Sequence, residues 1–404
     1  MAQPVDPRFH VYAARALRDF ADGFVTIVLP AYLLALGFGV GEIGIIATMA
    51  LLGSAAMTLA IGYWGTHVDV RKLLVAAGLL MAATGLALAS THQFAWLLVI
   101  AIFGTINPDV GNSSIFVPLE HTLLSQLSSD QERTKSFSHY TLVGAIAAAV
   151  GSLAVSSPAI LQRFGLSNLQ GLQMLFVFYA ALGVVCTVLY AQTPRAQTVG
   201  TTKKAGLGPS RGIVYRLAAL FSVDAFAGGL VVQSFLFLWL YQRFGLSLST
   251  LGWYFFAEGM LEAVSIPVAA WLAKRIGLIR TMAYTHIPSS LFLIAAAFAP
   301  TVEWAIAFML GRAALSQMDV PTRASYVMAV VTPPERSAAA SFTLVPRSLA
   351  KALSPAIAGW LATKYSFIWP LIGCGVLKIS YDLALLYAFQ HLKPPEEQVR
   401  PRVS

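Results

Sequence analysis

Charged residues are scarce in this chain. Only 11% of its 404 residues are Asp, Glu, Lys or Arg, and 57% are hydrophobic. An ordinary soluble domain has roughly 25% charged residues, so a water-soluble protein of this length could not cover its surface with so few charges. Apolar runs recur along the chain at about 20 residues, the length that a helix needs to cross a hydrocarbon layer about 30 Å thick. The composition therefore predicts a protein whose solvent is a lipid bilayer.

The sequence also lacks the residue patterns that several kinds of protein chemistry require. The two cysteines, Cys186 and Cys374, lie in apolar segments and form neither a disulfide framework nor a metal-binding spacing. The chain has no Gly-x-x-x-x-Gly-Lys-Ser/Thr phosphate loop, no hydrolase triad and no metal-ligand cluster. Residues 1–11 carry no signal-peptide pattern. We therefore predict that the protein is not an enzyme and uses no cofactor or metal.

Gly, Pro and charged residues separate twelve predicted membrane spans. An even number of spans places both termini on the same side of the membrane. We place the spans at about 13–36, 42–64, 72–91, 94–125, 134–157, 168–192, 213–241, 248–273, 279–299, 302–331, 335–361 and 366–389.

The distribution of Lys and Arg orients these spans. Nineteen basic residues, Arg15 and Arg18 among them, are counted on the side that the termini share, whereas Arg163, Arg243 and Lys364 fall on the other side. Positive residues collect in cytoplasmic loops, so both termini are predicted to be cytoplasmic in a cytoplasmic (inner) membrane. Because the basic residues collect on this side, we assign the net charge of +9 to cytoplasmic loops rather than to a nucleic-acid-binding surface.

The longest polar stretch lies at the midpoint of the chain, between predicted spans six and seven. We interpret residues 194–212 as a flexible cytoplasmic linker. It would join an N-terminal six-helix bundle at residues 1–193 to a C-terminal six-helix bundle at residues 213–404, which ends in a short cytoplasmic tail.

The two halves also share short sequence matches. A shift of 203 residues overlays residues 117–120 on 320–323 and residues 132–134 on 335–337. A looser match pairs residues 18–23 with residues 223–228. Several matches at nearly one offset indicate an internal duplication.

With these features the chain resembles the major facilitator superfamily over nearly its whole length. Residues 65–72 are similar to the charged turn between helices 2 and 3 of that family, although its usual second glycine is missing. Residues 130–133 and 333–336 are similar to its turns between helices 4 and 5 and helices 10 and 11. The resemblance implies an all-α membrane protein of two pseudo-symmetric six-helix bundles that works by alternating access, as a monomer. It also implies a conformational latch at Asp69, Arg71 and Lys72; the alternative is an ordinary charged turn.

Ionisable residues within the predicted spans are the candidates for function, because each costs about 2.5–3.5 kcal/mol on insertion scales. The repeat overlays Asp109 on Arg312 and Glu120 on Arg323, so spans 4 and 10 carry opposite charges at equivalent positions. We predict that Glu120 and Arg323 close a cytoplasmic gate. The alternative is that each pairs within its own half, for instance Arg323 with Asp319 at i,i+4.

Two carboxylates lie one helical turn apart in span 8. Glu258 and Glu262 cannot both ionise cheaply on one low-dielectric face, and such a pair is suited to proton coupling. The alternative is that they pair with a basic residue such as Arg347 and act as structural struts.

Three further spans carry acidic residues. Asp22 in span 1 and Asp224 in span 7 are candidates for binding a proton or a cationic substrate. The alternative for Asp22 is neutralisation by Arg15 or Arg18. Lys378 and Asp382, spaced i,i+4 in span 12, are interpreted as a structural pair on an outer helix.

These observations predict a secondary active transporter for a small polar or charged organic solute, with protons and the lipid bilayer as its other partners. Export (efflux) is preferred on general resemblance, although residues 144–151 lack the Gly-Pro pair often found in drug/proton antiporters. The alternative is a proton-coupled uptake symporter in which Arg312, Arg323 or Arg347 binds an anionic solute. An alternative of another class is a membrane receptor or scaffold that transports nothing.

Overall fold

The fold is all α-helical. A computed structural model describes residues 6–64, 68–109, 114–129, 132–195 and 207–392, and within these ranges all regular structure consists of α-helices and two short 3-10 turns. In chain order the helices are α1 Pro7–Ala35, α2 Val40–Trp64, α3 Val70–Ser90, α4 Phe94–Phe103, α5 Phe116–Leu127, α6 Arg133–Ser152, α7 Ser157–Gln162, α8 Asn168–Ala191, α9 Arg211–Gly229, α10 Gln233–Phe244, α11 Leu248–Ile276, α12 Leu278–Ala297, α13 Val302–Ser316, α14 Asp319–Val330, α15 Arg336–Lys364 and α16 Ile368–Phe389.

Length and composition identify membrane-crossing helices among them. Seven helical segments of the described chain are long and apolar enough to span a bilayer. Large apolar side chains are also exposed along these helices, as lipid contact requires; Val184 is 52% exposed and Trp360 is 52% exposed. The predicted all-α membrane fold is confirmed.

Some predicted spans are interrupted. Predicted span 94–125 consists of α4 and α5, span 213–241 consists of α9 and α10, and span 302–331 consists of α13 and α14. In the first of these, α4 ends at Phe103, and Pro108 follows in the break. Proline has no N–H and disfavours a helix interior; here its carbonyl accepts a hydrogen bond from the backbone N–H of Ser234 (3.1 Å). Asp109 therefore lies in a non-helical segment and not within a helix.

The chain divides into two compact units. The first contains residues 1–202 and 232–260, and the second contains residues 203–231 and 261–404. This division assigns residues 232–260 to the first unit, whereas the sequence predicts a boundary in the linker at 194–212. The prediction of two six-helix bundles with those bounds stays a prediction.

Close helix packing through glycine recurs in both units. In the first, a Cβ at Gly23 of α1 would overlap the backbone carbonyl of Ala148 on α6. In the second, a Cβ at Gly229 of α9 would overlap the side chain of Ser354 and the carbonyl of Lys351 on α15. Small residues at such contacts let helices approach closely within a membrane. Thus α1 packs on α6 as α9 packs on α15.

A loop glutamate contacts the N-terminal end of the first helix of each repeat. Glu132 accepts a hydrogen bond from the guanidinium of Arg8 (3.0 Å) and is exposed. Glu335 is buried and accepts from the Ser210 hydroxyl (2.6 Å), from the Thr332 hydroxyl and from the backbone N–H of Gly208. These hydrogen bonds, that of Ser210 first, lower the pKa of Glu335 to about 2.

Candidate functional site

The first unit buries an ion pair between α1 and α5. The Nη2 atom of Arg18 lies 2.8 Å from Oε2 of Glu120, and the two side chains are 1% and 0% exposed. On α1 itself, Arg15 binds Asp19 at i,i+4 (2.8 Å), and Arg18 lies 3.5 Å from the same carboxylate. Buried charges are tolerated when each is paired and hydrogen-bonded, and these four charges balance one another.

Two tyrosines complete the environment of Glu120. The hydroxyl of Tyr190 on α8 donates to Oε1 (2.7 Å), and the hydroxyl of Tyr140 on α6 donates to Oε2. Tyr140 in turn accepts from Arg15 (3.2 Å), whose guanidinium lies 4.5 Å from the centre of its ring. Glu120 is therefore held by residues of its own unit.

A glycine leaves the space that this cluster fills. A Cβ at Gly144 of α6 would overlap the carboxylate of Asp19 and Nε of Arg15. The Arg15–Asp19 ion pair therefore depends on the absence of a side chain at this position.

The second unit buries an ion pair between α9 and α14. Arg323 donates to Asp224 (2.9 Å) and to Asp319 (2.8 Å), and all three residues are buried. The Asp319–Arg323 contact is the i,i+4 pair that the sequence offered as the alternative to a gate. Asp224 and Asp319 thus share one guanidinium.

A lysine, a histidine and a third aspartate extend this cluster. The ammonium of Lys378 on α16 donates to Asp224 (2.9 Å) and contacts Nε2 of His286 on α12 (3.0 Å). Nδ1 of His286 contacts both carboxylate oxygens of Asp382 (3.2 and 3.0 Å). Asp382 is 0% exposed and His286 is 2% exposed. Lys378 and Asp382, interpreted from the sequence as an i,i+4 structural pair, both join the Asp224 cluster through contacts with other helices.

In the second unit, a buried nitrogen of one guanidinium has no hydrogen-bond acceptor among the residues described. This nitrogen is Nε of Arg347 on α15. Arg347 interacts electrostatically with Arg323, which repels it, and with Asp224 and Asp319, which attract it. Both of those carboxylates already bind Arg323.

The other acidic candidates lie on α1 and α11. Asp22 is buried on α1; Arg15 and Arg18, the cations expected to neutralise it, instead bind Asp19 and Glu120. Glu258 is buried on α11, and Glu262 of the same helix accepts a hydrogen bond from Ser316 (3.3 Å).

The predicted latch lies at the start of α3. Asp69 is the N-cap residue and accepts from the backbone N–H of Arg71 (3.0 Å). The guanidinium of Arg71 donates to the carbonyl of Thr193 (3.4 Å), which lies in the same unit. Lys72 follows in the first turn. Residues 65–67 of the motif lie outside the described ranges, and the latch stays a prediction.

The structure brings together residues that the sequence analysis separated. Arg15 and Arg18 were counted with the cytoplasmic side but are buried in α1. Tyr140, Tyr190 and His286 were not singled out. For His286 the signal was present, since a polar residue in the middle of an apolar span is by default a candidate for function.

Comparison with known proteins identifies the family. A sequence profile of the Major Facilitator Superfamily matches residues 11–241 and 217–404. An uncharacterized membrane protein of Saccharomyces cerevisiae, YJR124C, is 23% identical over 417 aligned positions, which cover 94% of this chain and 93% of that protein. The multidrug export protein EmrB of Haemophilus influenzae is 26% identical over 147 positions, covering 34% of this chain and 28% of that protein.

A solved structure has the same fold. The crystal structure of a bacterial homolog of the human lysosomal transporter Spinster, inward-facing and occupied, superposes with a TM-score of 0.75 at 15% identity. The superposition covers 95% of this chain and 97% of that one. The chain therefore belongs to the major facilitator superfamily and is a multi-pass membrane transporter of that type.

Proposed function

We propose that this protein is a proton-coupled secondary active transporter of a small organic anion, which it moves by alternating access. The observation that carries the proposal is Arg347, a cation within the second unit whose buried Nε has no described acceptor.

A missing acceptor at this position favours an anionic substrate. A charged donor that leaves water without gaining a partner costs free energy. Arg323 is already bound to Asp224 and Asp319, so Arg347 is the better candidate to receive a carboxylate or phosphate. A guanidinium matches the oxygen spacing of both groups and can bind either in a bidentate manner.

The buried acids support proton coupling. Asp22, Asp224 and Glu258 are all buried, and Glu262 completes the set of candidates from the sequence. A proton that enters together with an anion cancels one negative charge during translocation. Symport, with Arg312, Arg323 and Arg347 as the basic candidates, is therefore the direction that the arrangement supports best.

Export of a polar or charged solute is the second candidate. It is supported by the match to the multidrug export protein EmrB over 147 positions. In an exporter, the same buried acids would release their protons to the side that the solute leaves.

The gate between Glu120 and Arg323 stays a prediction. Each residue has partners within its own unit, so a gate would require both to exchange these partners during the cycle. Asp109 and Arg312 are the second pair of opposite charges in this hypothesis. Reversing Glu120 and Arg323 together should restore transport that either single reversal abolishes; without such rescue the gate hypothesis fails.

Transport can be tested in proteoliposomes that contain a pH-sensitive dye. The purified protein is reconstituted, and succinate, benzoate, inorganic phosphate and glucose 6-phosphate are added outside in turn. We expect at least one of these anions to acidify the lumen. Arg347→Gln should slow that acidification about 10- to 100-fold, the loss that corresponds to a charged hydrogen bond of about 1.5–3 kcal/mol.

Two matched variants control this experiment. Arg347→Lys keeps the charge and should retain part of the activity, and Arg211→Gln removes a guanidinium that lies over Tyr215 at the start of α9 and should change nothing. Protein orientation is fixed by protease protection, and imposed pH gradients of either sign then separate symport from export. Anion binding without any movement of solute or protons would contradict the proposal and favour a receptor.

A further inference from the structure

The contact between Lys378 and His286 defines the protonation state of the histidine. An ammonium group has three donors and no acceptor, so Nε2 of His286, which lies 3.0 Å from Nζ of Lys378, accepts the hydrogen bond. Nε2 is then unprotonated, and the imidazole is neutral with its proton on Nδ1. That proton is donated to Asp382, whose oxygens lie 3.2 and 3.0 Å away.

The surroundings of His286 are charged on several sides. The ring of Tyr381 packs edge-on against the imidazole of His286, with centroids 6.2 Å apart. Ser289, on the same helix as His286, donates a hydrogen bond to the backbone carbonyl of Arg312 (3.2 Å). The charged and titratable groups around His286 are Asp224 on α9, Arg312 on α13, Asp319 and Arg323 on α14, Arg347 on α15, and Lys378, Tyr381 and Asp382 on α16.

Leaving aside Arg312 on α13, the charges of this cluster cancel when His286 is neutral. Three carboxylates, those of Asp224, Asp319 and Asp382, face three cations, those of Arg323, Arg347 and Lys378. An anion that binds Arg347 adds one negative charge to this balance. An uncompensated charge in a buried site is costly, and one added proton would remove it.

We propose that His286 and Asp382 form the site that takes up a proton when an anion binds at Arg347. This rests on the proposed function, and it names the proton site and its link to the substrate. The proton forms an N–H bond at Nε2, which replaces the hydrogen bond from Lys378. Lys378 keeps its bond to Asp224 (2.9 Å). The imidazolium then lies between Asp382 at Nδ1 and Asp224, whose Oδ1 is 3.9 Å from Nε2.

Removing the charge of Arg347 should imitate anion binding, which makes the test independent of the substrate. Purified protein with ¹⁵N-labelled histidine is titrated by NMR without added anion. His286 is identified among the seven histidines by its loss in His286→Gln. We expect the wild type to show the neutral Nδ1–H form at neutral pH. In Arg347→Gln, the pH at which His286 becomes imidazolium should rise by about one unit or more.

Three further variants serve as controls for the titration of His286. Arg347→Lys keeps the charge and should titrate as the wild type does, which also excludes a general packing effect. Arg211→Gln should leave the titration unchanged. Asp382→Asn removes the negative charge that faces Nδ1 and should lower the pH at which His286 becomes imidazolium.

Two results would overturn the inference: a wild-type His286 with its proton on Nε2, or a titration that Arg347→Gln does not move. The dye assay in proteoliposomes separates this failure from failure of the proposed function. If anions still drive protons into vesicles with Asp382→Asn but not with Asp22→Asn, the protein is a proton-coupled transporter whose proton site lies on α1. If the wild type moves no protons with any anion, the proposed function itself fails.

Discussion

Each unit buries an ion pair between two of its helices, and the two pairs carry their charges in opposite order along the chain. In the first, the cation Arg18 lies on α1 and the anion Glu120 on α5. In the second, the anion Asp224 lies on α9 and the cation Arg323 on α14. The internal repeat aligns Glu120 with Arg323 and residues 18–23 with residues 223–228. The sign is therefore exchanged between Glu120 and Arg323. On the first helix of each repeat, Asp224 aligns with Asp19, the neighbour of Arg18, so an acid is kept there.

The surroundings of the two pairs differ. Glu120 is closed off by Arg18, Tyr140 and Tyr190. The position that the repeat aligns with Gly144 is Arg347 in the second unit, so a guanidinium replaces the glycine that makes room for Arg15 and Asp19. We infer that the first pair is chiefly structural and that the second has been opened to substrate and protons.

The largest effect should follow from breaking the first pair. Arg18→Met leaves Glu120 as a buried carboxylate without its cation, a change that typically costs about 3–5 kcal/mol. We expect a much lower yield of folded protein and a strongly reduced melting temperature in detergent. Arg211→Met, at an exposed arginine, is the control. A melting temperature close to that of the wild type would show that the tyrosines alone hold Glu120.

Exchanging the charges should recover part of this loss. Arg18→Glu combined with Glu120→Arg gives the first unit the polarity of the second. We expect a coupling energy of about 1–3 kcal/mol in a double-mutant cycle of unfolding. Recovery should be incomplete, because the hydroxyls of Tyr140 and Tyr190 lose the carboxylate that accepts from them. Additive single changes would contradict a direct interaction.

The sequence predicted some of this arrangement and missed the rest for a physical reason. Hydropathy and the repeat predicted the membrane fold, and the i,i+4 spacing predicted the Asp319–Arg323 pair. Spacing along one helix cannot reveal partners on other helices, because those depend on how each helix is rotated. The same rule that found Asp319–Arg323 therefore paired Lys378 with Asp382 and missed His286 between them.

The position of Arg18 shows a second limit. It lies near the start of the first span, and a count of basic residues places it with the cytoplasmic loops. In the structure it is 1% exposed. Arg18 is buried because it pairs with Glu120 on another helix. Its position in the sequence alone does not distinguish it from an arginine at the membrane surface.

A smaller difference in stability is expected between the variants Gly144→Ala and Arg347→Ala. Gly144→Ala introduces a methyl group where Asp19 and Arg15 already lie, and overpacking of this kind costs about 1–3 kcal/mol. Arg347→Ala should lower the melting temperature less, because its buried Nε has no described acceptor and, on the proposal above, a proton at His286 replaces the lost charge. Melting temperatures of the two variants in the same detergent test this contrast. Equal destabilisation would mean that Arg347 is structural.

The smallest effect is a difference between the loop glutamates Glu335 and Glu132 in how stability depends on pH. Hydrogen bonds from Ser210 and Thr332 lower the pKa of Glu335 to about 2 from its ordinary value of 4.5. A group whose pKa is lower in the folded state contributes stability above the unfolded value and loses it as the pH falls toward the folded value. The melting temperature should therefore fall between about pH 4.5 and 2, and Glu335→Gln should flatten part of that slope. Glu132→Gln should leave the slope unchanged, because an exposed ion pair such as Arg8–Glu132 contributes little. Equal slopes in both variants would show that the linker contact of Glu335 contributes no more than its exposed counterpart.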